Sequence, residues 1–348
     1  MNIALEELKE LQDDSNPRVW HDRSDKVVEV FKEYSELFSE KQLQHVWRAS
    51  EIDVEKDKQN ILVDVTPAQR HGIITTLTLF TKYEVFAGED WWNGRYRKIM
   101  KGPEFTRLSL VNAMSEIAVH KPFYQKINQV LNLDTDEFYN DYVNNPVLAA
   151  RIASVDEIIN HENDLVALGA FSFVEGAILY SNFSYLKSYQ NDGMNDIKTI
   201  VSGINYSLAD EGLHCIAAAT SYRHLVAQTK EDNVYEKLYG KEEYVESELY
   251  RIAKLIYLHE KQIIAMIFEK GKQHITPEEL LAFVGARLNE CLVNLGLDPI
   301  FDSTGDTISS WFYKNITSFV MHDFFNSQGS QYTTNWLETD FDPDLVEE

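Results

Sequence analysis

The segment from Phe171 to Leu225 constrains this chain more than any other. Its first helical run, FSFVEGAILYSNFSYL, sets Glu175 among Phe171, Phe173, Val174, Ala177, Ile178 and Leu179, and its second carries Asp210, Glu211, Gly212, Leu213 and His214 in a row. An ionised carboxylate buried without a partner is very costly, so such groups are paired, protonated or bound to metal. Glu211 and His214 stand three residues apart on one helical face, with Leu208, Ile216 and Ala217 nearby. A carboxylate and an imidazole converging from one helix, with a further carboxylate from a neighbour, make half of a metal site. In helical bundles that hold two metals, two helices each supply a Glu and two supply a Glu-x-x-His pair. The expected fold is therefore all-α, a bundle with a dinuclear site in its core.

Two earlier helices offer the other half. Residues 66–88, TPAQRHGIITTLTLFTKYEVFAG, open on Thr66 and Pro67, a good cap and first-turn pair. Ile73, Leu77, Phe80 and Glu84 fall at i, i+4, i+7 and i+11, which puts Glu84 on the buried stripe. Taken alone, Glu84 reads equally well as an end-of-helix residue that reaches solvent. Glu89 and Asp90 follow Gly88 and read as loop residues, ahead of a linker over 92–105. A helix is expected from Pro103 to Leu131, with Leu108, Val111, Met114 and Ala118 sharing a face. Glu116, His120 and Tyr124 step by four along it, a slanted row because four residues advance about 40° around an α-helix. Pro122 interrupts that row, since it has no N–H for the carbonyl of Ala118. A one-residue bulge there would make a spacing of four behave like three, and such bulges are common at functional sites.

Charge counting suits two metals. Glu84, Glu116, Glu175 and Glu211 together carry −4, His120 and His214 are neutral ligands, and two divalent cations cancel the sum. Carboxylate and imidazole donors without thiolate favour iron or manganese over structural zinc. Asp210 is placed to accept a hydrogen bond from a ligand imidazole. The competing reading makes each His a satisfied core residue and each Glu a surface one. No nucleophile elbow, Walker loop or glycine-rich dinucleotide pattern is present.

Elsewhere, helices are expected over 147–190, 194–229, 235–272, 277–295 and 307–325, with a turn at 191–193. A short N-terminal helix is expected around Leu5, Leu8 and Leu11, ahead of Pro17. The 348 residues include 15 Gly and 8 Pro, too few for a loop-rich or all-β fold. Acidic residues outnumber basic ones 56 to 32, for a net charge of −24, so nucleic acid and anionic membranes are not expected partners. Two cysteines, Cys215 and Cys291, suit a reducing cytosol, and the acidic N-terminus lacks a signal-peptide layout. No apolar run reaches the ~18–20 residues of a membrane span. A cytoplasmic protein is expected. The last stretch, NSQGSQYTTNWLETDFDPDLVEE, is polar with isolated Tyr332, Trp336, Leu337, Phe341 and Leu345, as in a flexible docking tail.

From about residue 38 to the end, the chain resembles the small, radical-generating subunit of class I ribonucleotide reductase. EKQLQHVWRASEIDV, HGIITTLTLFTKYE, VEGAILYSNF, ADEGLHC and FFNSQGSQY carry the likeness, ADEGLHC most specifically. The resemblance implies a ferritin-like bundle over 1–325 (with 1–37 an N-terminal extension), a homodimer, and a docking tail over 326–348. It implies metal ligands at Glu84, Glu116, His120, Glu175, Glu211 and His214, holding Fe/Fe, or else Mn/Fe or Mn/Mn. It implies a radical on Tyr124, and transfer through Trp47, Asp210 and Tyr332 to a large subunit that reduces ribonucleotides to deoxyribonucleotides. Two departures stand out. Glu84 replaces the family's frequent Asp, and Glu116-x-x-x-His120 is one residue longer than Glu-x-x-His. If the helix stays regular, Phe123 takes the position of Tyr124 and the oxidant is metal-centred. Two other functions compete: a di-iron carboxylate oxidase or hydroxylase on the same bundle, and an iron-storage or scaffold module.

Overall fold

A computed structural model describes residues 22–191 and 193–313, and every regular element among them is helical. We number the helices α1 (residues 33–44), α2 (67–99, with a turn at 78–79), α3 (103–130), α4 (Asp136–Asn144), α5 (Pro146–Ile159), α6 (Asp164–Gln190), α7 (Lys198–Glu231), α8 (Tyr235–Tyr239), α9 (Glu242–Ile267), α10 (Pro277–Asn294) and α11 (Ser309–Phe312). Their starts are written locally. Thr66 accepts from the Gln69 N–H while the Gln69 side chain returns to the Thr66 N–H, with Pro67 in the first turn. Thr276, Pro277 and Glu279 repeat the device at α10. Asn145 and Asn163 cap α5 and α6.

The bundle is built around α6, which packs on α5, α7, α9 and α10. Residues from Leu165 to Tyr189 are buried without interruption. By length and composition α6 could cross a membrane, contrary to the expectation from the sequence, but 94% of its apolar window is covered by protein. Each fully buried Leu, Ile or Phe contributes roughly 1.5–3 kcal/mol. The second layer pairs α2 with α3, and α1 lies across α3.

Several expectations need correction. Residues 86–99 are helical, so Glu89 and Asp90 lie in a helix rather than a loop, exposed on its outer side. The glycine that suggested a stop, Gly88, is instead a point of close approach. A Cβ there would meet Ile117 Cγ1 at 2.6 Å and Glu116 Cβ at 2.9 Å. Buried Trp91, Trp92 and Tyr96 then carry the helix on. The expected 147–190 helix is two, α5 and α6, because the Asn163 side chain caps a fresh start. The expected 235–272 helix breaks at Gly240, where φ is 80°. On α3 the buried face runs through Leu108, Asn112, Ser115, Glu116, Val119 and His120, while Met114 and Ala118 face outward. Interior polar groups had disguised that face. The N-terminal helix around Leu5 and all of 307–325 beyond Tyr313 lie outside the described residues.

Candidate metal centre

The six side chains singled out by spacing meet at one point between α2, α3, α6 and α7. Glu84, Glu116, His120, Glu175, Glu211 and His214 are all 0% exposed. Their ligand atoms form two clusters, each with all atoms within 4.8 Å of one another: Glu84, Glu116, His120 and Glu211, and Glu116, Glu175, Glu211 and His214. Glu116 and Glu211 belong to both. Two positions with two shared carboxylates between them are the layout of a bridged pair of metals.

Helix α7 delivers its pair through a regular turn, with His214 Nδ1 3.0 Å from Glu211 Oε2. Helix α3 delivers His120 Nδ1 2.9 Å from Glu116 Oε2 although one more residue intervenes. The turn Glu116–His120 is widened to absorb it: the N–H of Lys121 bonds to Glu116 O, five residues back. Pro122 follows at once. A second wide turn, Val174–Ile178, holds Glu175, and there the N–H of Leu179 reaches Val174 O.

Burial opposes charge throughout the cluster. It pushes the carboxyls of Glu84 and Glu175 well up, and neighbouring carboxylates add to the rise: Glu116 for Glu84, Glu211 and Glu116 for Glu175. At Glu116 burial also acts upward, but the facing imidazoles of His120 and His214 outweigh it and hold the carboxyl well below the usual range. Burial alone would lower both imidazoles, yet their carboxylate neighbours, Glu116 foremost, raise them well above the ordinary value. Both oxygens of Glu84 and Oε2 of Glu175 have no hydrogen-bond donor. Buried acceptors left open beside four carboxylates and two imidazoles fit two divalent oxygen-preferring cations, which remove the net charge.

Around this cluster lie the other expected residues. Asp210 Oδ2 is 2.9 Å from His120 Nε2 and accepts from Trp47 Nε1 at 3.0 Å. Tyr124 is fully buried, its ring stacked on Phe80 at 4.4 Å and 9°, with Ser207 as the hydroxyl group beside its own. Burial first, then the charge of Glu84, pushes that phenol up. Phe123 turns instead toward Trp47, 5.4 Å away. Tyr332 lies outside the described residues.

Three contributors were not foreseen. Trp92 Nε1 donates to Glu175 Oε1 at 3.1 Å, and its ring stands 5.7 Å from that of His214. Ser115 Oγ lies 3.4 Å from Asp210 Oδ2, and Gln42 Nε2 donates to that hydroxyl at 3.1 Å. The adjacent pair Trp91 and Trp92 was visible in the sequence, but reading it as linker hid it. Nothing local marks Ser115 or Gln42.

A family model described as "Ribonucleotide reductase, small chain" matches residues 31–308. The ribonucleoside-diphosphate reductase subunit beta of Bacillus subtilis (strain 168) is 27% identical over 250 residues, covering 67% of this chain and 69% of the relative. Among solved structures, the dimanganese(II) NrdF of Streptococcus sanguinis superposes with a TM-score of 0.69 at 20% identity, over 82% of this chain and 98% of that one. A ribonucleotide reductase R2 subunit from Clostridium botulinum gives 0.67 at 17% identity, over 81% and 87%.

Proposed function

The chain belongs to the ribonucleotide reductase small-chain family, and from that premise we propose how its own residues carry out the small subunit's task. It is the small subunit of a ribonucleoside-diphosphate reductase, with a ferritin-like helical fold, and it works with a large subunit. An independent oxidase and a storage module are both disfavoured by a family match that spans 31–308. The observation that carries the reading is the pair of four-residue clusters sharing Glu116 and Glu211.

Glu84 and His120 would hold one cation and Glu175 and His214 the other, and Glu116 and Glu211, which belong to both clusters, would serve both. Iron in both positions is the first reading. Manganese in one or both is the second, supported by a dimanganese structural relative and by the all-oxygen-and-nitrogen donor set. When bound, the metals supply the redox chemistry that uses oxygen, or a reduced oxygen species, to leave a stored one-electron oxidant. The protein supplies everything else. Complete burial excludes water from the cluster, and Phe80 covers the Tyr124 ring. Tyr124 is the side chain that stores the oxidant: its buried hydroxyl, beside Ser207 and under the charge of Glu84, can release its proton toward the Glu84 side. The wide turn of α3 is what presents Tyr124 there rather than Phe123. The chain from Trp47 Nε1 to Asp210 Oδ2 to His120 Nε2 is the exit, with Asp210 fixing the orientation of both rings.

Transfer onward requires the large subunit. Residues 326–348 dock, through Trp336, Leu337, Phe341 and Leu345, and Tyr332 relays. The small subunit itself forms a homodimer, and outward-facing Leu43 on α1, Val46 just after it, and Leu110 and Met114 on α3 offer apolar surface for it. The test combines metal analysis, electron paramagnetic resonance and deoxyribonucleotide formation with the large subunit. Wild type should hold about two metals per chain, as the ligand count requires. A chain ending at Thr339 should keep them but lose the large subunit, while Tyr332→Phe should bind it and give no turnover. Normal turnover in both variants would overturn the relay and the docking role.

A further inference from the structure

The wide turn that carries Glu175 is gripped from outside by α10. Arg287, 3% exposed, donates from Nε to the carbonyl of Gly176 at 2.8 Å. Gly176 directly follows Glu175 inside the Val174–Ile178 turn. A widened turn departs from the regular ladder of N–H and carbonyl pairs, so its carbonyls need outside donors more than those of a regular helix do. A guanidinium donor makes a stronger bond than a neutral one. The same side chain is itself held rigidly. Its guanidinium lies 4.0 Å over the Tyr180 ring, Nη1 pairs with Glu290, and Nη1 also donates to the Tyr313 hydroxyl at 2.6 Å. From the other side the turn has no room to relax, because a Cβ on Gly176 would meet Cys215 Sγ at 2.5 Å and Cys291 Sγ at 2.6 Å. Helix α3 has no such external clamp on the carbonyls of its own wide turn among the described hydrogen bonds; there Pro122, which has no N–H to donate back to Ala118, keeps the turn from closing into the regular ladder.

We propose that Arg287 is the positioning residue for Glu175: its bond to the Gly176 carbonyl keeps the α6 turn widened and so aims the Glu175 carboxylate at the metal it shares with His214. This rests on the reading of Glu175 as a ligand. Arg287 touches no metal, so its effect is confined to one of the two positions. Loss of the clamp weakens the Glu175–His214 position and spares the Glu84–His120 position. Residues that orient ligands typically change metal affinity by about 10–100-fold when removed.

The experiment is titration of the metal-free, full-length protein with Mn(II), following free Mn(II) by electron paramagnetic resonance, beside a thermal melt. Arg287→Met/Glu290→Gln removes both charges together, so no unpaired buried charge is left to unfold the protein. Arg287→Lys is the second variant; it keeps the charge opposite Glu290 without the Nε donor. The expected result is one Mn(II) bound as in wild type and the other about 10–100-fold more weakly in both variants. Glu290→Gln alone leaves Nε on the carbonyl and, where its melt shows the fold intact, should titrate like wild type. Two wild-type affinities in either folded Arg287 variant would overturn the proposal. So would equal weakening of both ions in step with a lowered melting temperature. Glu175→Ala separates the premise from the inference: it should lose one Mn(II), and if it keeps both, the ligand reading itself falls.

Discussion

Helices α3 and α7 each deliver one glutamate and one histidine to the same cluster, and they do it by different means. In α7 the two residues are three apart in an unbroken helix of 34 residues. In α3 they are four apart across a widened turn that ends just before Pro122. The carboxylate–imidazole distances are nonetheless 3.0 and 2.9 Å. What the cluster specifies is a direction in space, and a helix meets it with either spacing provided the local pitch adjusts. The consequence lies downstream. Beyond the extra residue in α3, Tyr124 stacks on Phe80 while Phe123 packs against Trp47, whereas α7 has no comparable choice to make.

The comparison breaks most severely at the two shared carboxylates. Glu116→Ala on α3 and Glu211→Ala on α7 should have the same effect despite the different turns, because each belongs to both clusters. Metal content should fall from about two per chain to below about one, and nucleotide reduction should cease. Glu84→Ala or Glu175→Ala should each cost only one metal. Metal analysis of the four proteins distinguishes the two patterns, and a full complement in Glu211→Ala would refute the bridged site.

Next in size is the choice that α3 makes. Tyr124→Phe should abolish a tyrosyl signal after oxygen activation while leaving metal content unchanged. Phe123→Leu should keep that signal, since Phe123 packs toward Trp47. An unaltered metal-only spectrum in active wild type and in Tyr124→Phe would instead assign the oxidant to the metals.

A milder perturbation tests the turns themselves. Deleting Ala118, an exposed residue within the wide turn, should let α3 close to a regular helix with a Glu-x-x-His spacing. Two metals should remain and the thermal midpoint should stay within about 5 °C of wild type. Inserting one Ala between Gly212 and Leu213 should be far worse, because α7 is buried on all sides there and cannot bulge. Equal damage from both changes would show that the α3 turn is not an adjustable register.

The smallest effect concerns a buried amine on α6 with no counter-charge among the described residues. Lys187 is 4% exposed, and among the described residues its Nζ has no hydrogen-bond partner and lies 5.3 Å from the Phe312 ring. Burial pushes this amine down to about 7 from 10.5. Between those values the unfolded chain binds the proton and the folded one does not, so stability contributed here rises with pH from about 7 to about 10.5 and the penalty is complete below 7. Lys187→Met should therefore stabilise the protein by on the order of a few kcal/mol near pH 6, with the gain vanishing above pH 10.5. Thermal melts across that range give the answer, and a gain independent of pH would rule out the charge as its origin.

The sequence alone determined the helical class and the residue types of the centre. Both follow from short-range rules: apolar periodicity reveals a helix, and a carboxylate on an apolar stripe reveals a buried partner. Glu175, Glu211 and His214 were legible this way because α7 is regular and the surroundings of Glu175 are wholly apolar. Glu84 and the α3 pair were legible in identity but not in geometry, since spacing leaves open whether Glu116 and His120 converge. Only the tertiary structure decided that the turn widens, that Trp92 lies against Glu175 rather than in a linker, and that Met114 and Ala118 face outward. It also brought Arg287 to Gly176, 111 positions away along the chain. The physical reason is common to all of these. A local helix hydrogen bond is worth about 1 kcal/mol net, so contacts made across the bundle can shift it by one residue. Those contacts join segments distant in sequence, and no local pattern records them.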